Sequence, residues 1–390
     1  MNSKKFKVTL FLGVFNAEKY LDSLLEQIVS QDTQDFNLLL VDNDSKDNTY
    51  FKIQSWKKVF GKRIVVVKNK KNLGAYGSLF YNLSKVRTEW FCWVHQDDYY
   101  KPNHMSTLLD LISKSQKDVV GVSTTMGSMS PEGIILNSKP RPTWFSYNLD
   151  QAGQFLQNLK SQSVPDPSSA YRLKVYRKIT MPIHSTSFPD TEHTLRLLGY
   201  GRFMVSQKET MYYRENPESI SHVINENERE LGATVALIRV FSSSEFKHLL
   251  GTIQINKRSE FVMQLLKALK HRIFDYSTLR TVEIYLLEEI IGHWGFTDKN
   301  ISKILYKKYA KFASHLTLAT INNLSDNKFL FPSQKLEISS SKIGLTSKFW
   351  NYYFWLNPKT LKNVNKVLLI LLYKLVFFVK PNHRLKTKWY

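Results

Sequence analysis

The stretch Trp90–Tyr100, WFCWVHQDDYY, decides how the rest of the chain is interpreted. Its first five residues are apolar and mostly aromatic or β-branched, which is typical of a buried strand. Asp97 and Asp98 follow the end of this predicted strand, where two adjacent carboxylates repel each other. A bound divalent cation would offset that repulsion, because such cations prefer carboxylate oxygens. The alternative is a solvated acidic turn, and the neighbouring segments decide between the two interpretations.

Buried strands alternate with helices on both sides of this stretch. Near-continuous apolar runs predict strands at Val8–Phe15, Phe36–Val41, Ile64–Lys68, Trp90–Val94 and Val119–Thr124. Apolar residues at helical spacing predict helices at Tyr20–Ser30, Tyr50–Phe60, Ser78–Ser84 and His104–Ser115. This alternation predicts an α/β fold, with a mostly parallel sheet that has helices on both faces.

Polar clusters follow three of the predicted strands. They are Asn16 after the first strand, Asp42–Asp44 after the second and His95–Asp98 after the fourth. In open α/β sheets, ligands bind outside the carboxyl ends of the strands. The convergence of three polar clusters at such ends favours a functional site over a solvated acidic turn.

The second half of the chain is less regular and then becomes helical. The pattern predicts an antiparallel edge strand at Ile134–Leu136, a helix near Ala152–Leu159, a strand at Ser168–Val175, a helix within Ser187–Tyr200, and a closing pair of strands at Phe203–Val205 and Thr210–Tyr213. These elements complete a domain predicted for residues 1–225. Helices predicted at 226–249, 259–274, 278–294 and 298–314 define a helical domain over residues 226–337, through which the chain could form a homo-oligomer.

Composition bounds the class of protein. The chain has 390 residues and a net charge of +22, a balance that points to a polyanionic partner or an anionic surface. Cys92 is the single cysteine, which excludes a disulfide framework and fits a reducing compartment. No apolar run reaches the roughly 18 residues that a membrane-spanning helix needs.

The last segment, residues 338–390, contains ten Lys or Arg and no Asp or Glu. It also contains an apolar run at Val367–Val379, interrupted by Lys374. Such a segment suits a helix that lies in the membrane interface, with its basic flanks on anionic lipid. The alternative is a terminal helix packed on the domain. Because the charge lies beside apolar residues, we expect lipid rather than nucleic acid as the partner.

Four motifs resemble those of a known family. Val14–Leu21 (VFNAEKYL), Val41–Thr49 (VDNDSKDNT), Trp93–Asp98 (WVHQDD) and Pro189–Leu197 (PDTEHTLRL) are similar, in order and spacing, to motifs of the inverting, nucleotide-sugar-dependent glycosyltransferases of family 2. The resemblance covers about residues 6–222 and implies a GT-A (Rossmann-like) fold. It further implies an enzyme of the bacterial surface-polysaccharide type.

The resemblance implies roles for individual residues. Asp97 would ligate Mn²⁺ or Mg²⁺, with Asp98 beside it and His95 as a third candidate ligand where the family has an aspartate. Asp190 would be the base that deprotonates the acceptor hydroxyl, with Glu192 as the reserve candidate; a plain helix N-cap is the alternative role for Asp190. The nucleotide-sugar would be bound by Phe15, Asn16, Asp42, Asp44, Asn72, Gly74, Asp97, Arg214 and His222.

The implied activity is transfer of a sugar from a UDP-sugar to a glycan or lipid-linked acceptor. We expect a cytoplasmic enzyme, peripheral on the inner face of the cell membrane. The alternative is a catalytically silent protein that kept the GT-A fold for binding or scaffolding. A Rossmann dehydrogenase is disfavoured because no GxGxxG follows the first strand, and a retaining glycosidase is disfavoured by the nucleotide-type sheet.

Overall fold

The strand β4, Trp90–Val94, occupies the predicted residues, and all five of its side chains are buried. The structure is a computed structural model that describes residues 6–141, 149–161, 164, 166–179, 189–217, 226–273 and 276–294. The predicted helix 298–314 and the basic segment 338–390 lie outside these residues. No helix in the described ranges is long and apolar enough to cross a membrane.

The first 114 residues contain the predicted strands and helices, with the third helix beginning earlier than predicted, and also the short strand Tyr99–Tyr100, which was not predicted. They are β1 (Val8–Val14), α1 (Leu21–Val29), β2 (Phe36–Asp42), α2 (Thr49–Phe60), β3 (Ile64–Lys68), α3 (Gly74–Asn82), β4, β5 (Tyr99–Tyr100) and α4 (His104–Lys114). Strands β3, β2, β1 and β4 are neighbours in this order, and all three pairings are parallel. Leu10, Leu12 and Val14 of β1 pack into a core with the apolar faces of α1, α2 and α4.

The following elements are β6 (Val119–Met129), β7 (Ile135–Arg141), α5 (Gln151–Lys160), β8 (Ser169–Arg172), α6 (Leu173–Tyr176), α7 (Pro189–Leu198) and β9 (Arg202–Arg214). The predicted strand Ser168–Val175 is wrong after Arg172, because β8 pairs with β4 and Trp90, the first residue of β4, is the partner of Arg172. The predicted pair of closing strands is also wrong. A single strand, β9, continues through the polar residues between them, with an irregular register against β6.

The sheet is mixed, and the α/β class is confirmed. Strand order is β3-β2-β1-β4-β8-β6-β9-β5, with β7 paired to β6. The parallel part predicted from the sequence comprises β3, β2, β1 and β4, and β6 and β9 add a further parallel pair. The pairs β4–β8, β6–β8, β6–β7 and β5–β9 are antiparallel. The antiparallel edge strand predicted at Ile134–Leu136 is confirmed as β7, which extends to Arg141. The other three antiparallel pairs were not predicted, because the residues of β5 and β8 have no periodicity that reveals their direction.

Four helices follow: α8 (Glu226–Phe241), α9 (Ser244–Thr252), α10 (Arg258–Arg272) and α11 (Tyr276–Trp294). The predicted helix 226–249 is in fact α8 and α9, because the Ser243 hydroxyl accepts a hydrogen bond from the backbone N–H of Phe246 (3.1 Å) and so caps a new helix. Helices α8 and α9 contact α7, and α10 contacts α5. Residues 1–294 form one compact unit, so α8 to α11 group with the α/β part.

Gly201 tests how tightly the sheet packs where α7 leads into β9. A Cβ at this position would lie 2.1 Å from the backbone oxygen of Asp118, which cannot move without disturbing β6. We therefore expect Gly201→Ala to lower the free energy of unfolding by about 1–3 kcal/mol, the usual cost of overpacking. Urea or thermal unfolding would measure the change.

Gly292 in α11 offers the matched control, because a Cβ there meets no atom within 4 Å. Gly292→Ala should leave stability unchanged or raise it, since alanine favours a helix more than glycine does. Equal stability of the two variants would contradict the packing described at Gly201.

Candidate active site

The site lies where the carboxyl ends of β1 and β4 meet. β1 has β2 on one side and β4 on the other, so the strand order reverses at this point, which is where open α/β sheets bind ligands. Gln96, which follows β4, joins the two strand ends. Its side chain accepts a hydrogen bond from the Phe15 N–H (2.8 Å) and donates one to the Phe15 carbonyl (3.2 Å). The predicted residue Phe15 is thus held by its backbone, with its side chain 37% exposed.

Asp42 ends β2 with a fully buried carboxylate. Its Oδ1 accepts a hydrogen bond from the Ser45 N–H (3.1 Å), and its Oδ2 is buried without a hydrogen-bond donor among the described residues. Lys68 Nζ is 3.9 Å from Oδ2, at the end of the neighbouring strand β3. A buried acceptor without a donor costs free energy, so Asp42 is suited to receive an N–H from a ligand.

The turns after β1 and β2 each contain a backbone conformation that few residues adopt. Asn16 and Asp44 both have positive φ angles, 48° and 70°, in the left-handed region that asparagine and aspartate tolerate best. Hydrogen bonds join the two turns, from the Asn16 N–H to the Ser45 hydroxyl (3.0 Å) and from the Lys46 N–H to Asn16 Oδ1 (2.9 Å). Asp44 forms an ion pair with Lys46 at 2.9 Å. Both predicted residues therefore shape the floor of the site.

Asn72 and Gly74 form the loop between β3 and α3. Asn72 Oδ1 accepts hydrogen bonds from the Gly74 N–H (2.8 Å) and from the side chain of Asn43 (2.8 Å). Gly74 has φ of 71°, which favours glycine. Asn43 in turn accepts a hydrogen bond from the buried side chain of Asn69 (2.9 Å). A chain of amides thus fixes this loop against the end of β2.

The acidic pair after β4 has two different environments. Asp98 is 3% exposed, and its Oδ1 accepts a hydrogen bond from the Arg214 N–H (3.0 Å) at the end of β9. Burial raises the pKa of Asp98 to about 7. The Arg214 guanidinium donates to the Asp97 carbonyl (2.7 Å) and to the Pro131 carbonyl (2.9 Å). Arg214 therefore holds the Asp97–Asp98 turn in place.

The Asp97 carboxylate is accessible, in contrast to that of Asp98. It is partly exposed, and no group in the described part of the chain hydrogen-bonds to its side-chain oxygens. Asp98 Oδ2 and His95 Nε2 are buried without hydrogen-bond partners there, and His95 Nδ1 lies 3.9 Å from Asp98 Oδ2. The described ranges contain no cluster of three His, Cys, Asp or Glu arranged as a metal cage. Mg²⁺ and related ions, however, are commonly held by one or two carboxylates and substrate phosphates, a role that Asp97 fits.

Asp190 belongs to a cluster that the sequence did not reveal. Tyr76 Oη, from α3, lies 2.6 Å from Asp190 Oδ1 and 2.7 Å from Asp166 Oδ2. A phenol has one proton and donates to only one carboxylate at a time. The second contact is a hydrogen bond only if that carboxyl group carries a proton. The phenol proton alone therefore cannot form both hydrogen bonds.

The directions of the pKa shifts distinguish the two carboxyl groups. Burial and the charge of Asp166 both raise the pKa of Asp190. For Asp166, burial is outweighed by the charge of His193 and by hydrogen bonds from His193 and Tyr171, so its pKa is lowered. Asp190 is therefore the carboxyl group that accepts a proton more readily than Asp166. The charge of His95 also acts on both carboxyl groups, which links this cluster to the end of β4.

His193 is the cation of the cluster. Its Nε2 is 3.1 Å from Asp166 Oδ1, and its Nδ1 is 3.2 Å from Tyr76 Oη. Burial lowers the pKa of His193, but the charge of Asp166 and their hydrogen bond outweigh it, so the net pKa is raised. His193 and Asp166 are therefore a buried ion pair beside Asp190.

Glu192 lies in different surroundings from Asp190. It is 1% exposed, and its Oε1 is 2.8 Å from Arg239 Nη2 and 3.5 Å from Arg196 Nη1. Residues two apart on a helix do not face each other, so Glu192 and Asp190 point away from α7 in different directions. Glu192 ties α7 to α8 by ion pairs, and Asp190 remains the carboxylate that a substrate could reach. The predicted residue His222 lies outside the described residues.

Sequence reasoning missed Tyr76, Asp166 and His193. Tyr76 reads as one apolar position of a helix, and Asp166 lies in a proline-containing segment without periodicity. His193 lies in the PDTEHTLRL motif, three residues after Asp190. Because residues three apart lie on the same face of a helix, this spacing could have revealed His193 as a neighbour of Asp190.

Comparisons with known proteins relate part of this geometry to a known family. Residues 9–180 match the family model described as glycosyl transferase family 2. The matched range includes Asp42, Asp97 and Asp166, and it ends before Asp190 and His193. S. aureus TarS, solved in complex with UDP-GlcNAc, has a TM-score of 0.51 to this structure at 15% identity, over 80% of this chain and 93% of the TarS chain. This likeness shows the GT-A fold.

Relatives in sequence match this chain over short segments. An uncharacterized glycosyltransferase of Haemophilus influenzae is 27% identical over 121 residues, which are 31% of this chain and 36% of that protein. A teichoic acid poly(glycerol phosphate) polymerase of Staphylococcus epidermidis is 33% identical over 92 residues, which are 24% of this chain and 13% of that protein. The matches thus cover about a third or less of the length of either relative.

The contact between His193 and Asp166 gives a prediction that does not depend on activity. We expect the His193 imidazole to titrate above the ordinary histidine pKa of about 6.5, because Asp166 stabilises its charged form. Asp166→Asn should lower the His193 pKa, since burial then acts without the carboxylate. NMR titration of the imidazole would measure both values.

A surface variant controls for the loss of a carboxylate in general. Asp110 pairs with Lys114 on the exposed side of α4 (2.8 Å), so Asp110→Asn should leave the His193 pKa unchanged. An unchanged His193 pKa in Asp166→Asn would contradict the assignment of the ion pair.

Proposed function

We propose that this protein is an inverting glycosyltransferase that moves a sugar from a UDP-sugar to a hydroxyl group of an acceptor. The observation that carries the proposal is the position of Asp190. Its carboxyl group has a raised pKa and is oriented by Tyr76, within electrostatic reach of the turn that follows β4. General bases work best when their pKa is brought towards the working pH.

The donor site is proposed at the end of β2. Asp42 Oδ2 is a buried acceptor without a donor in the described part of the chain, and the N3–H of uracil would supply one. The Phe15 and Asn16 backbone would border the base, and the loop Asn72–Gly74 would contact the ribose and phosphates. The TarS structure was solved with UDP-GlcNAc, which supports a UDP-sugar as the class of donor.

The diphosphate of the donor would lie beside Asp97. Asp97 would hold Mn²⁺ or Mg²⁺ together with the phosphate oxygens, and His95 and Asp98 are further candidate ligands. When bound, such a cation stabilises the negative charge of the departing diphosphate. Arg214, whose guanidinium already binds two backbone carbonyls, keeps the Asp97 carboxylate at this position.

Asp190 would take the proton of the acceptor hydroxyl as that oxygen attacks the anomeric carbon. A bond forms between the acceptor oxygen and this carbon, the bond between the carbon and the phosphate oxygen breaks, and UDP leaves with the electron pair. Attack from the face opposite to the leaving group inverts the configuration. Tyr76 holds Asp190 in one orientation, and the His193–Asp166 pair keeps the neighbouring carboxylate ionised.

The proposed acceptor is a bacterial surface glycan, free or lipid-linked, built at the inner face of the cell membrane. Relatives named for glycosyl transfer and for teichoic acid synthesis support this class of acceptor. The basic segment 338–390 is proposed to bind anionic lipid, which would keep the enzyme peripheral on the cytoplasmic side.

Asp190→Asn tests the base. We expect UDP binding to persist and transfer to fall by at least ~10²-fold, the usual contribution of a general base. In the native enzyme, activity should fall as pH drops through the Asp190 pKa, because only the carboxylate accepts a proton. That acidic limb should lie above the ordinary aspartate pKa of about 3.9, since the pKa of Asp190 is raised.

The measurements are transfer rates on a panel of UDP-sugars and UDP binding by calorimetry. Asp150→Asn, at the N-terminal cap of α5, is the matched control and should retain full transfer. Comparable activity of Asp190→Asn and native protein would move the role to another residue, Glu192 first.

Asp97→Ala tests the proposed metal site. We expect UDP to bind the native protein more tightly with Mn²⁺ than with EDTA, and this difference to disappear in the variant. Loss of one of few ligands typically reduces metal affinity by at least ~10-fold. If native protein binds no UDP with or without Mn²⁺, the GT-A fold serves binding or scaffolding instead of catalysis.

A further inference from the structure

One side of the α/β domain is built from a segment without acidic residues. Between Asp47 and Glu89, residues 48–88 contain ten Lys or Arg and no Asp or Glu. This segment forms α2, β3 and α3, and β3 is the first strand in the sheet order, at its edge. The high positive charge is therefore concentrated on the folded domain as well as in the segment 338–390.

The charged and apolar side chains of this segment are exposed together. In α2, Phe51 is 75% exposed and Val59 57%, which is unusual for two large apolar residues of one short helix. Six lysines of the same segment are exposed as well. We name this area the β3 edge surface and define it by Phe51, Lys57, Lys58, Val59, Lys62, Lys68, Lys70 and Lys71.

The β3 edge surface follows the length of α2 and β3. The chain turns at Gly61, where φ is 56°, and β3 then runs back along α2. Lys68 Nζ, at the end of β3, lies 4.4 Å from the centre of the Tyr50 ring at the start of α2. Lys57, Lys58 and Lys62 therefore lie at one end of the surface, and Lys68 to Lys71 lie at the other.

Most of this charge has no acidic partner. Lys68 Nζ lies 3.9 Å from Asp42, but Lys57, Lys58, Lys62, Lys70 and Lys71 form no ion pair within the described ranges. The chain's own segment 338–390 is a poor occupant, because it is basic too and would be repelled. The complementary partner is anionic and has an apolar part that accepts Phe51 and Val59.

We propose that the β3 edge surface docks the catalytic domain onto a bilayer that contains anionic lipid. Lysines near such a bilayer are attracted by its negative surface potential, and apolar side chains between them enter the headgroup boundary. A nucleic acid or a soluble polyanion would use the lysines but would gain little from exposed Phe51 and Val59. The pattern of charge with interleaved apolar residues therefore selects lipid.

Docking at this surface has a consequence for the site. Lys68, Lys70 and Lys71 follow the carboxyl end of β3, the sheet end at which Asp42 also lies. The opening of the proposed donor site would then face the region next to the lipid surface, where a lipid-linked acceptor is held. This consequence rests on the proposed function, whereas lipid binding by the surface does not.

Vesicle sedimentation with the full chain tests the proposal. The surface variant carries Lys57→Gln, Lys58→Gln, Lys70→Gln and Lys71→Gln. The control variant carries Lys117→Gln, Lys160→Gln, Lys174→Gln and Lys208→Gln, four exposed lysines elsewhere with the same change in charge. Vesicles contain phosphatidylcholine with or without phosphatidylglycerol.

We expect the surface variant to bind phosphatidylglycerol vesicles at least about tenfold more weakly than native protein, since each lysine near the bilayer adds to affinity. The control variant should lose much less affinity, and vesicles of phosphatidylcholine alone should bind all three proteins weakly. Equal losses in the two variants would overturn the proposal and assign membrane binding to net charge or to residues 338–390. The surface variant should transfer sugar to a soluble acceptor as native protein does. Vesicle binding does not require transfer, so sedimentation tests the proposal even if the protein has no transfer activity.

A double variant in α2 distinguishes lipid from a soluble polyanion. Phe51→Ser with Val59→Ser should weaken vesicle binding by at least about threefold, because exposed apolar groups contribute through burial in the headgroup region. The same variant should bind heparin or RNA as native protein does. Unchanged vesicle binding in this variant, together with loss of heparin binding in the lysine variant, would reassign the surface to a soluble polyanion.

Discussion

A carboxylate that leaves water must be paired, hydrogen-bonded or protonated, and this constraint shapes the whole site. Three carboxyl groups are fully or nearly fully buried at the carboxyl ends of the strands: Asp42, Asp98 and Asp166. Asp166 is paired with His193. Asp42 and Asp98 each accept one backbone N–H and each retain one carboxyl oxygen without a hydrogen-bond partner in the described part of the chain. Burial also raises the pKa of Asp98 to about 7. Asp42 and Asp98 therefore each keep an oxygen that could accept a further hydrogen bond.

The division explains why strands far apart in sequence must meet. Arg214 ends β9 and donates to the turn after β4, although 117 positions separate it from Asp97. Tyr76 from α3 contacts the carboxyl groups of Asp166, which lies between α5 and β8, and of Asp190, near the start of α7. The antiparallel strands β5 and β8, which break the parallel order, bring these segments beside β4. The mixed sheet therefore brings Asp190, the proposed base from the second half of the domain, beside the parallel strands that form the proposed donor site.

The sequence predicted the parallel half well because its signal is local. Each of β1 to β4 is a continuous apolar run, and the polar residue that matters follows directly, as Asp42 follows Val41. Asp190 could be recognised only through its resemblance to a motif, and its partners Tyr76 and Asp166 could not be recognised at all. Their roles depend on contacts 114 and 90 positions apart, for which a single sequence has no periodicity. The same reason accounts for β8 and β9, whose bounds depend on pairing rather than on composition.

Positive charge is concentrated in two regions of the chain. Residues 338–390 carry basic charge in a segment for which composition alone predicts lipid binding. The β3 edge surface carries its charge on elements with defined bounds, and it ends beside Asp42. Lipid bound by residues 338–390 would raise the local concentration of the enzyme at the membrane. Lipid bound by α2 and β3 would also orient the carboxyl ends of the strands, and orientation of a site relative to a membrane-bound acceptor is the larger kinetic advantage.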